Sequence, residues 1–184
     1  MGGQIPERIR WAVDVLDSDP SEEILEIGPG PGVAMALICD RLVDGHITAI
    51  DRSATAVGQA SKRNAACIAA GKAVVLHTDL SKVAFKNLRF DQIFAINVNL
   101  FWVQPDGPQL SIVANLLRPG GRFTLFYEAP SVTKADQIVQ IIQQALLRHG
   151  FATSARSAAD PTLTCVEAWL DSRRRDRSGA AVQS

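Results

Sequence analysis

The sequence predicts an α/β domain built on a doubly wound, seven-stranded and mostly parallel sheet with an antiparallel C-terminal strand. Three observations lead there. Short apolar runs rich in β-branched residues alternate with stretches of helical periodicity, and such alternation implies parallel strands joined by right-handed crossovers. A glycine-rich stretch, Gly28-Pro29-Gly30-Pro31-Gly32, follows the first apolar run directly. After Gly150 the alternation stops, and two strand-like segments follow one another with no helix between them. The 184 residues, 47% of them hydrophobic, suit one domain over 1–172 and a charged, flexible tail over 173–184.

The chain opens with a helical pattern from Ile5 to Leu16, where Ile9, Val13 and Leu16 share a face and Trp11 stands off it. Strands are expected over Ile24–Ile27, Ile47–Ile50, Val74–His77, Gln92–Ile96 and Arg122–Tyr127, each bounded by Gly, Asp or Asn. Helices are expected over Val33–Leu42, Ala54–Ala70, Gln109–Leu117 and Val132–Arg148. In the last of these Ile138, Ile142 and Ala145 repeat at helical spacing among glutamines. Gly120-Gly121 and Gly150 follow helical patterns closely, as terminating glycines do. The segments "FATSAR" and "TLTCVEAWL" read as a strand pair joined by "SAADP".

Composition narrows the function. Nineteen Lys and Arg balance nineteen Asp and Glu, which gives no electrostatic footprint for a nucleic-acid partner. No apolar stretch has the length of a membrane span and "MGGQIPERIR" has no signal-peptide core, so a cytoplasmic protein is expected. Cys39, Cys67 and Cys165 are far apart and match no metal or redox spacing, and buried thiols are expected of them.

In an open parallel sheet, ligands bind beyond the carboxyl ends of the strands, where the glycine stretch sits. A phosphate loop needs Lys-Ser/Thr after its glycines, and Val33-Ala34 stands there instead. A dinucleotide fingerprint needs a small sixth residue, and Val33 occupies that place. Glu26 ends the first strand and Asp51 the second, and a carboxylate in the second position can accept hydrogen bonds from both hydroxyls of a ribose. The plainer readings are a helix-capping Asp51 and a turn-forming Asp79.

Taken together, "LEIGPGPG" followed by "AIDRS" resembles the first motif and acidic loop of class I S-adenosylmethionine-dependent methyltransferases. "HTDL" and "LLRPGGRFTL" resemble later segments of that family in the same order, so the likeness runs from Ser21 to Leu170. It implies the Rossmann-like methyltransferase fold, with S-adenosylmethionine as cofactor and S-adenosylhomocysteine as product. It also implies that Gly28, Gly30 and Gly32 line the methionine and ribose, while Glu26 holds the loop and the ammonium. Asp51 would take the ribose hydroxyls, with Arg52 beside the adenine. Asp79 would accept from the adenine amine, the Leu80 N–H would donate to the ring, and Asn97 would face the methionine end.

Methyl transfer from a sulfonium needs the acceptor held in line more than it needs a catalytic group. A base, where one is required, must lie at the carboxyl edge of the sheet. Glu128, after the fifth strand, is the candidate, and Tyr127 beside it points to the opposite face. His46 and His149 fall at the other edge, and His77 is expected to be packed within its strand. "NVNLFW" offers the amides of Asn97 and Asn99 and an apolar wall of Leu100, Phe101 and Trp102 for a small-molecule acceptor. The Ile5–Leu16 helix, with Trp11, would cover part of the site. The Asn/Asp-Pro-Pro-Tyr/Phe motif of DNA amino-methyltransferases is absent, and Asn97 stands where catechol-type enzymes carry a metal-binding carboxylate. No metal is therefore expected, and the oligomer is a monomer or a homodimer. Three other readings stay open: a cofactor-binding protein without turnover, an aminopropyltransferase and a nicotinamide-dependent enzyme.

Overall fold

The computed structural model describes residues 4–83, 85 and 88–170; the tail expected from residue 173 lies outside them. Seven strands form one sheet: β1 (Glu23–Ile27), β2 (His46–Asp51), β3 (Ala73–His77), β4 (Phe90–Ile96), β5 (Leu117–Glu128), β6 (Phe151–Ser157) and β7 (Leu163–Leu170). Their spatial order is β3-β2-β1-β4-β5-β7-β6. The first five run parallel, and β7 lies antiparallel between β5 and β6. The order reverses between β1 and β4, which opens a crevice at the carboxyl ends of those strands.

Alternation along the strands feeds two cores. Ile24, Ile47, Phe94 and Phe126 pack under α1 (Glu7–Leu16), α2 (Val33–Cys39) and α4 (Ala65–Ala69), meeting Val13, Leu16, Met35 and Ile38. On the other face Leu25, Ile93, Phe123 and Leu125 meet Leu110 and Val113 of α6 (Gln109–Leu116) and Ile138 and Ile142 of α7 (Val132–Arg148). Each fully buried side chain of this size contributes about 1.5–3 kcal/mol. Ser131 caps α7 by accepting from Lys134 N at 3.2 Å, and Gly150, at φ 85°, ends it.

Several expectations are corrected. The helix expected over Ala54–Ala70 is two, α3 (Ala54–Arg63) and α4, because Asn64 leaves helical geometry at φ −101°, ψ 20°. Gly120-Gly121 do not end a helix: α6 stops at Leu116 and both glycines belong to the irregular start of β5. There Gly121 lies against the carbonyls of Phe90, Asp91 and Arg118, where a Cβ would come within 3.0 Å. A one-turn helix, α5 (Leu100–Val103), follows β4 unannounced by any periodicity. His77 is exposed rather than packed, since β3 is an edge strand, and its Nε2 lies 3.1 Å from the Arg52 carbonyl. Cys39 of α2 and Cys67 of α4 lie side by side, with Cα atoms 6.5 Å apart, because both helices pack on the same face. Cys165 is a buried free thiol, and burial pushes its pKa up to about 11. Among the described residues no helix is long and apolar enough to cross a membrane.

Candidate cofactor and acceptor site

Register brings the strand ends level. Ile27 pairs with Ile50 and Ala95, and the ladder continues one step further, with Gly28 N donating to Ile50 O at 2.9 Å and Thr78 N to Asp51 O at 3.0 Å. Beyond that edge lies a cleft of about 580 Å³. One end is lined by Gly28, Gly30, Asp51, Arg52, Asp79 and Leu80, and the other by Asn97, Val98, Asn99, Leu100, Val103 and Gln104. A smaller cavity of about 130 Å³ shares Gly28, Gly30, Ile96 and Asn97 with the cleft and adds Glu26 of β1 and Arg8 and Ile9 of α1.

The three loop glycines have φ of 71°, 53° and 74°, a region that side chains resist, yet their surroundings differ. A Cβ on Gly30 would meet nothing within 4 Å, so its bare backbone borders open cleft. On Gly28 a Cβ would press into the Val98 side chain at 2.7 Å. Gly32 lines neither cavity: it caps α2, and a Cβ there would strike Asn64 at 2.6 Å and Ala60 at 2.8 Å. Its bare backbone lets α2 approach α3. Asn64 holds this loop by donating from Nδ2 to Gly32 O at 3.0 Å, and Arg63 Nε donates to Pro31 O at 2.8 Å. Sequence reasoning misses both anchors, since neither interrupts the helical pattern.

The acidic residues have distinct environments. Glu26 is buried, its Oε2 has no hydrogen-bond partner, and burial, with help from the Asp51 charge, pushes its pKa from 4.5 to about 8. Asp51 Oδ1 accepts from Ser53 N at 2.8 Å, and Ser53, rather than Asp51, caps α3 through its Oγ. Asp79 Oδ1 accepts from Ser81 N at 2.8 Å and Ser81 Oγ at 2.6 Å, and these bonds hold its pKa below the usual carboxylate range. Both aspartates make their turns and line the cleft as well.

Asn97 adopts φ 55°, unusual outside glycine, and its Oδ1 accepts from Glu128 N at 2.8 Å. That bond ties the end of β4 to the end of β5. The Glu128 side chain is exposed and pairs with Arg8 at 2.8 Å, linking β5 to α1. Tyr127 is buried on the opposite face and donates to Val98 O at 2.8 Å. Of the expected acceptor residues, Asn99 lines the cleft, whereas Phe101 is a core residue, edge-on to Phe123 at 5.2 Å and 2% exposed. Helix α5 turns Phe101 inward and leaves Leu100, Val103 and Gln104 at the cleft, a division that no periodicity in the sequence announces. Trp102 donates from Nε1 to Asn99 Oδ1 at 3.3 Å and carries the Lys134 ammonium 4.6 Å above its ring. Trp11 rests edge-on against Phe126 at 5.7 Å. His46 starts β2 and His149 follows α7, with its Nδ1 2.9 Å from Ala145 O, both away from the cleft.

Residues 24–121 match the family model described as a methyltransferase domain. The chain belongs to that methyltransferase family. No curated protein matches it in sequence. Among solved structures it is similar to the glycopeptide N-methyltransferase MtfA, at 18% identity and TM-score 0.70, over 90% of this chain and 89% of that one. The form of MtfA complexed with S-adenosylmethionine gives TM-score 0.70 at 16% identity, covering 89% of this chain and 87% of that chain. The precorrin-6y C5,15-methyltransferase of Geobacter metallireducens GS-15 gives TM-score 0.66 at 14% identity, over 89% of this chain and 86% of that one. These likenesses bear out the seven-stranded Rossmann-like methyltransferase fold and the class I family expected from the motifs. S-adenosylmethionine is the cofactor of that family.

Proposed function

We propose that this methyltransferase moves a methyl group from S-adenosylmethionine to a small-molecule acceptor by in-line displacement without a metal, in the cytoplasm and as a monomer or homodimer. The observation that carries this reading is one cleft lined both by the carboxylates of Asp51 and Asp79 and by the amides and apolar side chains of Asn99, Leu100 and Val103. The residues present fit the cofactor. The orphaned, buried Glu26 oxygen calls for a cation such as the methionine ammonium. Asp51 suits the ribose hydroxyls, with Arg52 beside the base. Asp79, held anionic by Ser81, suits the adenine amine, and the Leu80 N–H suits a ring nitrogen. Gly28 and Gly30 allow backbone contact, and Asn97 sits between the two cavities.

When bound, the cofactor supplies a methyl group already activated by its sulfonium charge. The chain's own work is to orient the acceptor and exclude water, which is worth on the order of several kcal/mol. Val98, Leu100 and Val103 supply apolar walls, and Asn99 and Gln104 supply donors and acceptors that fix an orientation. Trp102, bonded to Asn99, stands beside these walls, whereas Trp11 packs on the other face of the sheet against Phe126. Glu128 is the group that takes a proton where the acceptor carries one. A cofactor sensor without turnover would not need the acceptor end of the cleft. Release of S-adenosylhomocysteine from S-adenosylmethionine, followed by chromatography with fractionated cell extract, tests the reading. Release is expected with the small-metabolite fraction; release only with protein or nucleic acid would contradict it.

A further inference from the structure

Arg8 is placed where two anions can claim it. It projects from α1 into the lining of the smaller cavity, together with Glu26, Gly28, Gly30 and Asn97. It also pairs with Glu128 at 2.8 Å, and both side chains keep over a third of their surface exposed, at 37% and 46%. A pair this exposed costs little to exchange. The smaller cavity adjoins the cleft through Gly28, Gly30 and Asn97, at the end away from Asp79. An amino-acid head group reaching into it brings both a cation and an anion. Glu26, with its unpartnered buried oxygen, answers the cation. The cations among the residues lining the two cavities are Arg8 and Arg52, and Arg52 belongs to the Asp51 and Asp79 end.

We propose that Arg8 is the positioning residue for the cofactor's carboxylate, and that taking up this role releases Glu128 from the ion pair. The inference rests on the cofactor reading above. The carboxylate and Glu128 compete for one guanidinium, which can grip a carboxylate through two parallel bonds. Substitution of either member of the pair therefore has opposite effects on cofactor affinity.

The test is calorimetric titration with three ligands: S-adenosylhomocysteine, S-adenosylmethionine lacking its carboxylate, and 5′-methylthioadenosine, which lacks the whole amino-acid head. Arg8→Ala is expected to weaken S-adenosylhomocysteine about tenfold or more, the loss of a charge-assisted bond, and to leave the other two ligands unchanged. Arg8→Lys should restore part of the loss. Glu128→Gln removes the competitor and should tighten S-adenosylhomocysteine severalfold, with methylthioadenosine unaffected. Equal weakening of all three ligands by Arg8→Ala would mean that Arg8 only supports α1, and would overturn the proposal. Weaker or unchanged binding of S-adenosylhomocysteine by Glu128→Gln would overturn the exchange. Failure of wild type to bind any of the three nucleosides would overturn the cofactor reading, and the exchange with it.

Discussion

Gly30 and Gly32 stand two residues apart in nearly the same backbone conformation, at φ 53° and 74°, yet they do different work. Gly30→Ala places its methyl in open cleft, so its cost to stability is confined to the left-handed backbone, about 1–2 kcal/mol. Cofactor binding should suffer more than folding. Gly32→Ala drives a methyl into Asn64 and Ala60 and should cost roughly 3 kcal/mol, combining backbone strain with overpacking. Thermal unfolding and ligand titration of the two variants check the contrast. The motif makes the glycines legible in the sequence, but not this division, which depends on what α3 places behind the loop. Glu26 makes a second prediction at this scale. Its pKa rises from 4.5 in the unfolded chain to about 8 in the folded one, so the folded chain holds the extra proton between those values. Its contribution to stability is full below about pH 4.5 and is lost as pH rises toward 8. A bound ammonium favours the ionised carboxylate, so cofactor affinity moves the other way. S-adenosylhomocysteine should bind more tightly from pH 6 to 8, by up to about tenfold per unit, with proton release measurable in buffers of different ionisation heat. Glu26→Gln should flatten both dependences.

The helices and strands differ in how openly the sequence declares them. Helix α7 is legible to the residue, because Ser131 caps it, Gly150 ends it and Ile138, Ile142 and Ala145 mark its buried stripe. Ile142→Ala should cost about 2–5 kcal/mol in denaturant unfolding, since the side chain is 1% exposed in the core. The break between α3 and α4 is not legible, because Asn64 sits inside a continuous helical pattern and acts through the fold. Its Nδ2 bridges Ala60 O, one turn back in α3, and Gly32 O, and the second bond exists only once α2 and the glycine loop are in place. Asn64→Ala removes the side-chain donor from the Gly32 and Ala60 carbonyls, which keep the backbone N–H groups of Ala36 and Asn64, and should lose about 0.5–1.5 kcal/mol, with a parallel loss of cofactor affinity. Helix α5 escapes for a related reason: four residues carry no period. Its consequence is large, since the turn sends Phe101 to the core and Val103 and Gln104 to the cleft. The meeting of Cys39 and Cys67 likewise depends on two helices coming together across 28 residues of chain.

At the scale of the whole molecule, the site follows from topology. Crossing from β3 past β2 and β1 to β4 reverses the sheet order and opens the edge where Gly28, Asp51, Asp79 and Asn97 end successive strands. This much is legible in the sequence, because alternation of strands and helices fixes which ends share an edge. The acceptor end is less so. It is assembled from the loop after β4 and a single helical turn, whose meeting is decided by packing and by the Asn97–Glu128 contact. The central claim is that this edge holds S-adenosylmethionine through its acidic strand ends. Calorimetric titration of S-adenosylhomocysteine into wild type and Asp51→Ala, with NAD as the control ligand, tests it most directly. Micromolar binding by wild type is predicted, with at least a tenfold loss in the variant and no binding of NAD. Wild type that ignores S-adenosylhomocysteine, or a variant that binds it as well as wild type, would contradict the claim.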